Sequence, residues 1–434
     1  MELKNLKKDF MKYVSLNILG MIGFSCYILA DTLFISKASG TLGLAALNLS
    51  LPMISFVLAV GLMLGIGGAT KYKILNSKEN NADADSIFTV SCLIGALCGI
   101  IFSLIGIFLI QALARLLGAN GNTLQLTITY LRIILVFAPF FVLNNVLVTF
   151  VRNDNDPKLS MNAMLISSFS NIVLDYIFMF PLNMGMMGAA LATGLSPVIS
   201  LIVLSSHFLS NNNTLKIHRT KIYFKSVVNI VSLGISAFIT EMSSAIVLIS
   251  FNLVILKIEG NTGVAAYGVV ANIAIVATAI FNGIAQGIQP LASREYGMKN
   301  KFMVNKILIY SLITSFSLAL ILYIIIFYYS DSIILLFNSE NDLHLARLAK
   351  VGLRIYFLGF FFSGFNIIAA AFLSAIEKAS RAFFISILRG FIVIIPAVII
   401  FSTILKMNGV WISFLVTEFI VSIVTFLFLA KKHE

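Results

Sequence analysis

Acidic residues inside long apolar segments are the most informative feature of this 434-residue chain. Asp31 follows Tyr27 by four positions, Asp175 follows Asn171 by four, and Glu241 lies in a third apolar segment. A spacing of four places both polar groups of a pair on one helix face. An ionised carboxylate at the centre of a membrane-spanning helix costs roughly 2.5 to 3.5 kcal/mol on insertion scales. Such an acid usually faces a wet cavity or a partner, so these positions are the first candidates for function.

Asp31 and Asp175 would share one pocket if their two helix faces met. Two like charges in a poorly solvated pocket disfavour double ionisation, so the pair can hold a proton or release it to take Na+. Carboxylate, amide and hydroxyl oxygens also suit a hard cation. The residues leave the choice of ion open. They also leave purely structural roles open. Asp175 would then be a hydrogen-bonding group, and Asp31 would cap the helix end or pair with Lys37.

The composition indicates which elements must position these acids. Hydrophobic residues make up 59% of the chain and charged residues 11%, whereas a soluble globular chain has roughly 25% charged residues. A helix needs about 20 mostly apolar residues to cross a membrane, and its backbone must be hydrogen-bonded internally. We therefore predict an all-α integral membrane protein with twelve transmembrane helices. The predicted spans are residues 14–36, 45–71, 87–112, 124–150, 159–181, 186–210, 227–256, 263–292, 304–330, 343–374, 382–405 and 409–430.

The net charge of +12 comes from basic residues that gather in alternate loops. This placement argues for a membrane topology rather than for nucleic-acid binding, and by the positive-inside rule it predicts that both termini are cytoplasmic. The basic residues on that side include Lys4, Lys7, Lys8, Lys12, Arg152, Lys158, Lys378, Arg381, Lys431, Lys432 and those of segments 71–78, 216–225 and 294–306. Three cysteines, Cys26, Cys92 and Cys98, fall within spans and are predicted to be buried without disulfides.

The two halves of the chain share a weak repeat. Lys37–Ala46 aligns with Lys257–Ala266 at an offset of 220, and Asn183–Met186 aligns with Met407–Val410 at an offset of 224. Both matches fall in corresponding turns of the two halves. They predict two six-helix pseudo-symmetric bundles around a central cavity, related by an axis along the membrane normal. The predicted division is an N-terminal lobe (1–210), a cytoplasmic linker (211–226) and a C-terminal lobe (227–434).

Four motifs occur in an order that resembles the multidrug and toxic compound extrusion (MATE) family over essentially the whole chain. They are Ala30–Ile35 on the first helix, Arg152–Pro157 in a short loop, Gly185–Thr193 at the start of the sixth helix, and Gly287–Ala292 followed by Tyr296–Asn300. The chain departs from the family in its first helix, which family members often bend at a proline. No proline precedes Pro52 here, although Gly20 and Gly23 can supply flexibility.

The resemblance implies roles for several residues. Family members with an ion site in the first half combine an acid on helix one, Asn-x-x-x-Asp on helix five and a Thr on helix six. The positions implied to bind H+ or Na+ are Asp31, Asn171, Asp175 and Thr193, with Tyr27 as a nearby aromatic. The positions implied to line the drug cavity are Asn144, Asn145 and Met21, and Glu241 is a secondary candidate for the acid that other members carry on helix seven.

The resemblance implies a secondary antiporter of the bacterial plasma membrane that exports amphipathic, often cationic compounds in exchange for inward H+ or Na+, by alternating access. We expect no catalytic residues and no cofactor besides the coupling ion. Expected partners are small-molecule drugs or toxic metabolites and membrane lipid, but no nucleic acid, and we expect a functional monomer. Arg389 and Glu418 are expected to pair with each other.

Two alternatives stay open. One is a lipid-linked oligosaccharide flippase of the same superfamily, which would favour a basic cavity for pyrophosphate. The other is a polytopic membrane enzyme, for which the chain offers no His-Glu-x-x-His and no Gly-x-Ser-x-Gly.

Overall fold

The computed structural model describes residues 2–211, 213–218, 223–338 and 342–430, and within these ranges it is helical with no strand. Seven helical segments are long and apolar enough to cross a membrane, and two bent pairs of helices raise the number to nine. Three of the long segments reverse direction at a single residue and therefore cross twice. The described residues thus form twelve spans, which confirms the predicted all-α architecture.

We number these spans in chain order. They are α1 (2–39), α2 (41–76), α3 (Asn81–Phe108), α4 (Leu124–Val136 and Ala138–Asn153), α5 (Pro157–Met179), α6 (Gly185–Ser205), α7 (224–259), α8 (261–297), α9 (Lys301–Phe337), α10 (Leu343–Tyr356 and Gly359–Ala375), α11 (379–405) and α12 (407–430).

Single glycines make two of the sharp reversals. Gly40 has φ 63° and ψ −157°, and Gly260 has φ 63° and ψ −150°. This positive-φ backbone costs glycine little because it has no Cβ. The predicted turns between spans one and two and between spans seven and eight therefore shrink to one residue each. The repeat at an offset of 220 is thus a structural equivalence, because it aligns these two glycines.

The bends in α4 and α10 repeat the symmetry between the lobes. The two halves of α4 meet at 49° and those of α10 at 47°. In α4 the bend precedes Pro139, whose missing N–H removes a helical hydrogen bond. In α10 the second half begins at Gly359 instead. The same backbone shape is therefore reached with different residues, which explains why the repeat is weak in sequence.

Asp154 fastens the linker to the N-terminal lobe. The backbone N–H of Thr214 donates to Asp154 Oδ2 over 2.7 Å, its hydroxyl also donates to this carboxylate, and the hydroxyl of Tyr72 donates to Oδ1 over 3.1 Å. His207 Nε2 lies 2.8 Å from Oδ2. Burial alone raises the pKa of Asp154, but these hydrogen bonds outweigh it and hold the pKa below its usual range. The described part of the linker is therefore anchored rather than a free solvated tether.

Some predicted features lie outside the described residues. They are linker positions 212 and 219–222, and the C-terminal residues 431–434 with Lys431 and Lys432. The prediction that the three cysteines are buried is wrong, because Cys26 is exposed, and Cys92 and Cys98 are only partly buried against the core of the N-terminal lobe. All three are free thiols, so no disulfide joins them.

The lobes exchange helix ends on the face that carries the loops after α2, α4, α6, α8 and α10, which we call the terminal face. The opposite face, with Gly40 and Gly260, is the hairpin face. The first turns of α1, including Phe10 and Val14, pack into the core of the C-terminal lobe. In the same way Ile230 of α7 packs into the core of the N-terminal lobe. The lobes are therefore interlocked at the terminal face.

Glycines allow the two interlobe crossings to be close. A Cβ on Gly287 of α8 would lie 2.8 Å from Cα of Val14, and a Cβ on Gly67 of α2 would lie 1.9 Å from the carbonyl oxygen of Ile230. Gly67 and Gly287 are related by the offset of 220, so the two crossings are equivalent. Backbone-to-backbone contact of this kind closes the terminal face without long side chains.

We predict that Gly67→Ala pushes the lobes apart at the terminal face, because its methyl group has no room against α7. A Val14→Cys reporter, in a variant whose three native cysteines are replaced, should then react several-fold faster with an impermeant maleimide applied to that face. Gly268→Ala is the matched control, because a Cβ there meets no atom within 4 Å. Equal labelling of the two variants would show that closure does not depend on the glycine crossing.

Candidate functional site

The structure brings Asp31 of α1 and Asp175 of α5 together inside the N-terminal lobe, where their charges are within electrostatic range of each other. Asp31 is 6% exposed and Asp175 is fully buried. Asn171 lies one turn before Asp175. We orient its side-chain amide so that both ends are hydrogen-bonded. In this orientation the nitrogen donates to Asp175 Oδ2 over 3.0 Å and the oxygen accepts from Ser196 Oγ over 3.2 Å. The four-residue spacing on α5 thus allows Asn171 to hydrogen-bond one carboxylate oxygen of Asp175.

Each acid retains one buried oxygen without a partner among the described residues, Oδ1 of Asp31 and Oδ1 of Asp175. Buried polar atoms are usually hydrogen-bonded, so two such oxygens in one pocket suit a proton or a cation. Asp31 makes no ion pair with Lys37 in the described structure, and it lies well inside α1 rather than at a helix end. For Asp175, the hydrogen bond to Asn171 accounts for only one of its two oxygens.

Two side chains connect this pocket with a large cavity between the lobes. Tyr27 and Thr193 line the cavity, whereas both acids and Asn171 lie behind its wall. Tyr27 is also within electrostatic range of Asp31 and Asp175. Tyr130 of α4, which the sequence did not single out, is buried within range of both acids as well. A change of charge in the acid pocket can therefore affect the cavity wall through Tyr27 and Thr193.

The cavity and its open mouth together contain about 1570 Å³ of empty space between the lobes. Met21, Asn144 and Asn145 all line it. Asn145 Nδ2 donates to the carbonyl oxygen of Phe141 over 3.1 Å, within its own helix. Asn144 Oδ1 is buried without a partner in the described residues. Asn144 therefore retains an acceptor oxygen at the cavity wall that no described residue occupies.

The C-terminal lobe contributes an acid and a base to the cavity wall. Glu241 of α7 lines the cavity within electrostatic range of Tyr27, and no described residue forms an ion pair with it. Arg389 also lines the cavity, but its Nη2 lies 2.6 Å from Glu418 Oε1. The predicted pairing of Arg389 with Glu418 is therefore confirmed. Asn366 Nδ2 donates to the other carboxylate oxygen over 2.8 Å, so Glu418 is fully engaged.

A polar layer closes the cavity at the terminal face. Arg152 Nη1 donates to Asn17 Oδ1 over 2.6 Å and to Gln286 Oε1 over 2.7 Å. Asn153 Nδ2 donates to Gln289 Oε1 over 2.8 Å. These bonds join α4 to α8, and hence one lobe to the other. The motif predicts a loop at Arg152, but the residue occupies the last turn of α4 and is 1% exposed.

The sequence carried a weak signal for this layer. Gln286 and Gln289 are amides within an apolar span, and Arg152 and Asn153 belong to a motif that was interpreted as a connecting loop. Only the packing of the lobes shows that the four side chains meet.

Comparisons with known proteins agree with this architecture. The MatE family model matches residues 17–177 and 235–400, one segment in each lobe. The multidrug export protein MepA of Staphylococcus saprophyticus is 26% identical over 430 residues, covering 98% of this chain and 94% of that protein. MepA of Staphylococcus aureus is 25% identical over 413 residues, covering 95% and 90%.

Solved structures show the same fold. A multidrug resistance MATE family transporter of the MOP superfamily, in an outward-facing conformation, matches with a TM-score of 0.92 at 25% identity and covers 98% of this chain and 95% of its own. A MOP superfamily transporter from Pyrococcus furiosus matches with a TM-score of 0.90 at 24% identity, with the same coverage. The family model spans more than half of the chain, and both lobes carry it. The predicted resemblance is thereby confirmed, and the chain belongs to the MatE family of membrane transporters.

Proposed function

We propose that this protein is a multidrug efflux antiporter that exports amphipathic, often cationic compounds in exchange for inward H+ or Na+. The observation that carries the proposal is the buried pair Asp31 and Asp175, whose unpartnered oxygens lie directly behind the wall of a large cavity. The relatives named multidrug export proteins support the substrate class.

Coupling between ion binding and drug binding would act through Tyr27 and Thr193, which the acid pocket and the cavity share. When an ion neutralises the acid pair, the surroundings of Tyr27 and Thr193 change, and with them the cavity wall. If the ion and the drug favour different conformations, the difference in affinity is the coupling free energy. An ion gradient can then drive drug export, because the wall between the acid pocket and the cavity couples the two binding sites.

The basic residues support the orientation of the protein in a bacterial plasma membrane. They concentrate on the terminal face, which the positive-inside rule makes cytoplasmic together with both termini. The layer that contains Arg152 joins the lobes at that face, so with this orientation we infer that the cavity opens toward the outside. Each polypeptide contains both lobes and the whole cavity, which supports function as a monomer.

A flippase for lipid-linked oligosaccharides is less well supported. Of the two arginines that line the cavity, Arg389 is neutralised by Glu418 and Arg152 is bonded to amides at the closed end. The wall therefore offers no accessible basic cluster for a pyrophosphate group.

We predict that the double variant Asp31→Asn, Asp175→Asn folds but loses gradient-driven efflux, because it can neither ionise nor hold the coupling ion. The measurement is drug resistance of expressing cells, together with dye efflux from energised vesicles. Asp331→Asn is the control, because this acid lies in an exposed ion pair with Lys350. Resistance of the double variant at the wild-type level would overturn the proposal.

Separate gradients of H+ and Na+ across reconstituted vesicles will assign the coupling ion, with export of an ethidium-like dye as the signal. We expect one of the two to drive export. Thr193→Val should weaken a Na+-driven process, raising the half-saturating Na+ concentration about tenfold, because an oxygen ligand is lost. It should leave a proton-driven process nearly unchanged. Thr129→Val, at a partly exposed position of α4 outside the cavity lining, is the control. A rate of dye export that changes with neither gradient would contradict ion coupling.

Glu241 is proposed to attract the positive charge of a substrate. Glu241→Gln should raise the half-saturating concentration of a cationic dye about tenfold, because one cavity charge is lost, and it should not affect a neutral amphiphile of similar size. Glu259→Gln, on the same helix but outside the cavity, is the control. An equal loss for both substrates would assign Glu241 a structural role.

A further inference from the structure

Arg152 is a buried cation at the closed end of the cavity. Its guanidinium donates to Asn17 of α1 and Gln286 of α8, which belong to different lobes. Its Nε has no partner among the described residues, although the side chain is almost fully buried. The charge is therefore held by neutral amide oxygens.

No carboxylate compensates this charge. Within the described ranges no acid forms an ion pair with Arg152 at 4.0 Å or less, whereas Arg389, the other arginine of the cavity, has Glu418 at 2.6 Å. Asp154 is close in sequence but is already bonded to His207, Thr214 and Tyr72. A buried guanidinium without a counter-ion is costly, and amide dipoles offset only part of that cost.

We propose that Arg152 is an electrostatic barrier that stops cations from crossing the closed terminal end of the cavity. A small cation that enters from the hairpin face meets this positive charge in a poorly hydrated layer, where repulsion is strong. The ions of the gradient must then cross with the conformational change instead of leaking. The inference rests on the proposed ion coupling for the identity of those cations.

Separation of the lobes would remove the barrier. Both acceptors of Arg152 Nη1 are amides, and one of them, Gln286, belongs to the opposite lobe. When the lobes part at the terminal face, this bond is lost and water reaches the guanidinium. Water and salt then screen the charge, so the barrier operates only while the face is closed.

The test measures passive H+ and Na+ entry into reconstituted vesicles at an imposed membrane potential, without drug. Arg152→Gln removes the charge, and Gln286→Glu cancels it by placing a carboxylate at the existing contact with little change of shape. We expect both variants to raise the cation leak about tenfold or more. Arg152→Lys keeps the charge and should stay close to wild type.

A matched control separates charge from packing. Gln289→Met removes the interlobe bonds to Asn153 and Thr70 without changing any charge, so it should not leak. If Gln289→Met leaks as much as Gln286→Glu, the seal depends on packing and the proposal is wrong. It is also wrong if Gln286→Glu and Arg152→Gln leak no more than wild type. Gln286→Glu decides the matter even if Arg152→Gln does not fold.

The leak assay contains no drug, so its answer does not depend on coupled export. A raised leak combined with normal efflux by the Asp31→Asn, Asp175→Asn variant would support the barrier and overturn the coupling proposal. A wild-type leak combined with lost efflux would do the reverse.

Discussion

The cost of burying charge away from water governs this structure. A chain with only 11% charged residues in a bundle of twelve spans can place few charges inside, and each needs a proton, an ion pair or oriented dipoles. Three solutions occur side by side. Asp31 and Asp175 share a pocket, Arg389 pairs with Glu418, and Arg152 is held by amides. The first is the proposed site of ion exchange, whereas the second carries its own counter-charge.

The two lobes share a backbone but not this chemistry. With the offsets of the repeat, Asp31 corresponds to Phe251, Asp175 to Ile399 and Thr193 to Thr417. Phe251 is fully buried and stacks on Tyr267 at 5.4 Å between ring centroids. Apolar residues thus occupy the two positions of the second lobe that correspond to the acids. The buried ion pair of that lobe uses Arg389, within the π-helical turn Leu388–Ile392 of α11, and Glu418. The proposed acid pair thus belongs to the N-terminal lobe, while Glu241 and Arg389 of the C-terminal lobe line the cavity.

The sequence predicted the features that depend on local pattern. Apolar length gave the spans, the aligned Gly40 and Gly260 revealed the repeat, and the four-residue spacing placed Asn171 beside Asp175. It did not predict the features that depend on how helices meet. The burial of Arg152 is one example, since the residue looks like part of a loop until α8 packs against it. The anchoring of the linker through Asp154 is another, because its partners are far apart in the chain.

A transporter must close one face firmly and still be able to open it. Opening an apolar seal would expose its surface to water at about 25 cal/mol per Å². Here amides and one guanidinium join the lobes at the floor of the cavity, beside the glycine crossings and the apolar contacts of Phe10, Val14 and Ile230. Each neutral hydrogen bond contributes only about 1 kcal/mol net, because water can replace it. The polar part of this floor therefore costs less to separate than an apolar surface of equal area, which brings the two conformations closer in free energy, as the proposed ion coupling at the acid pair requires.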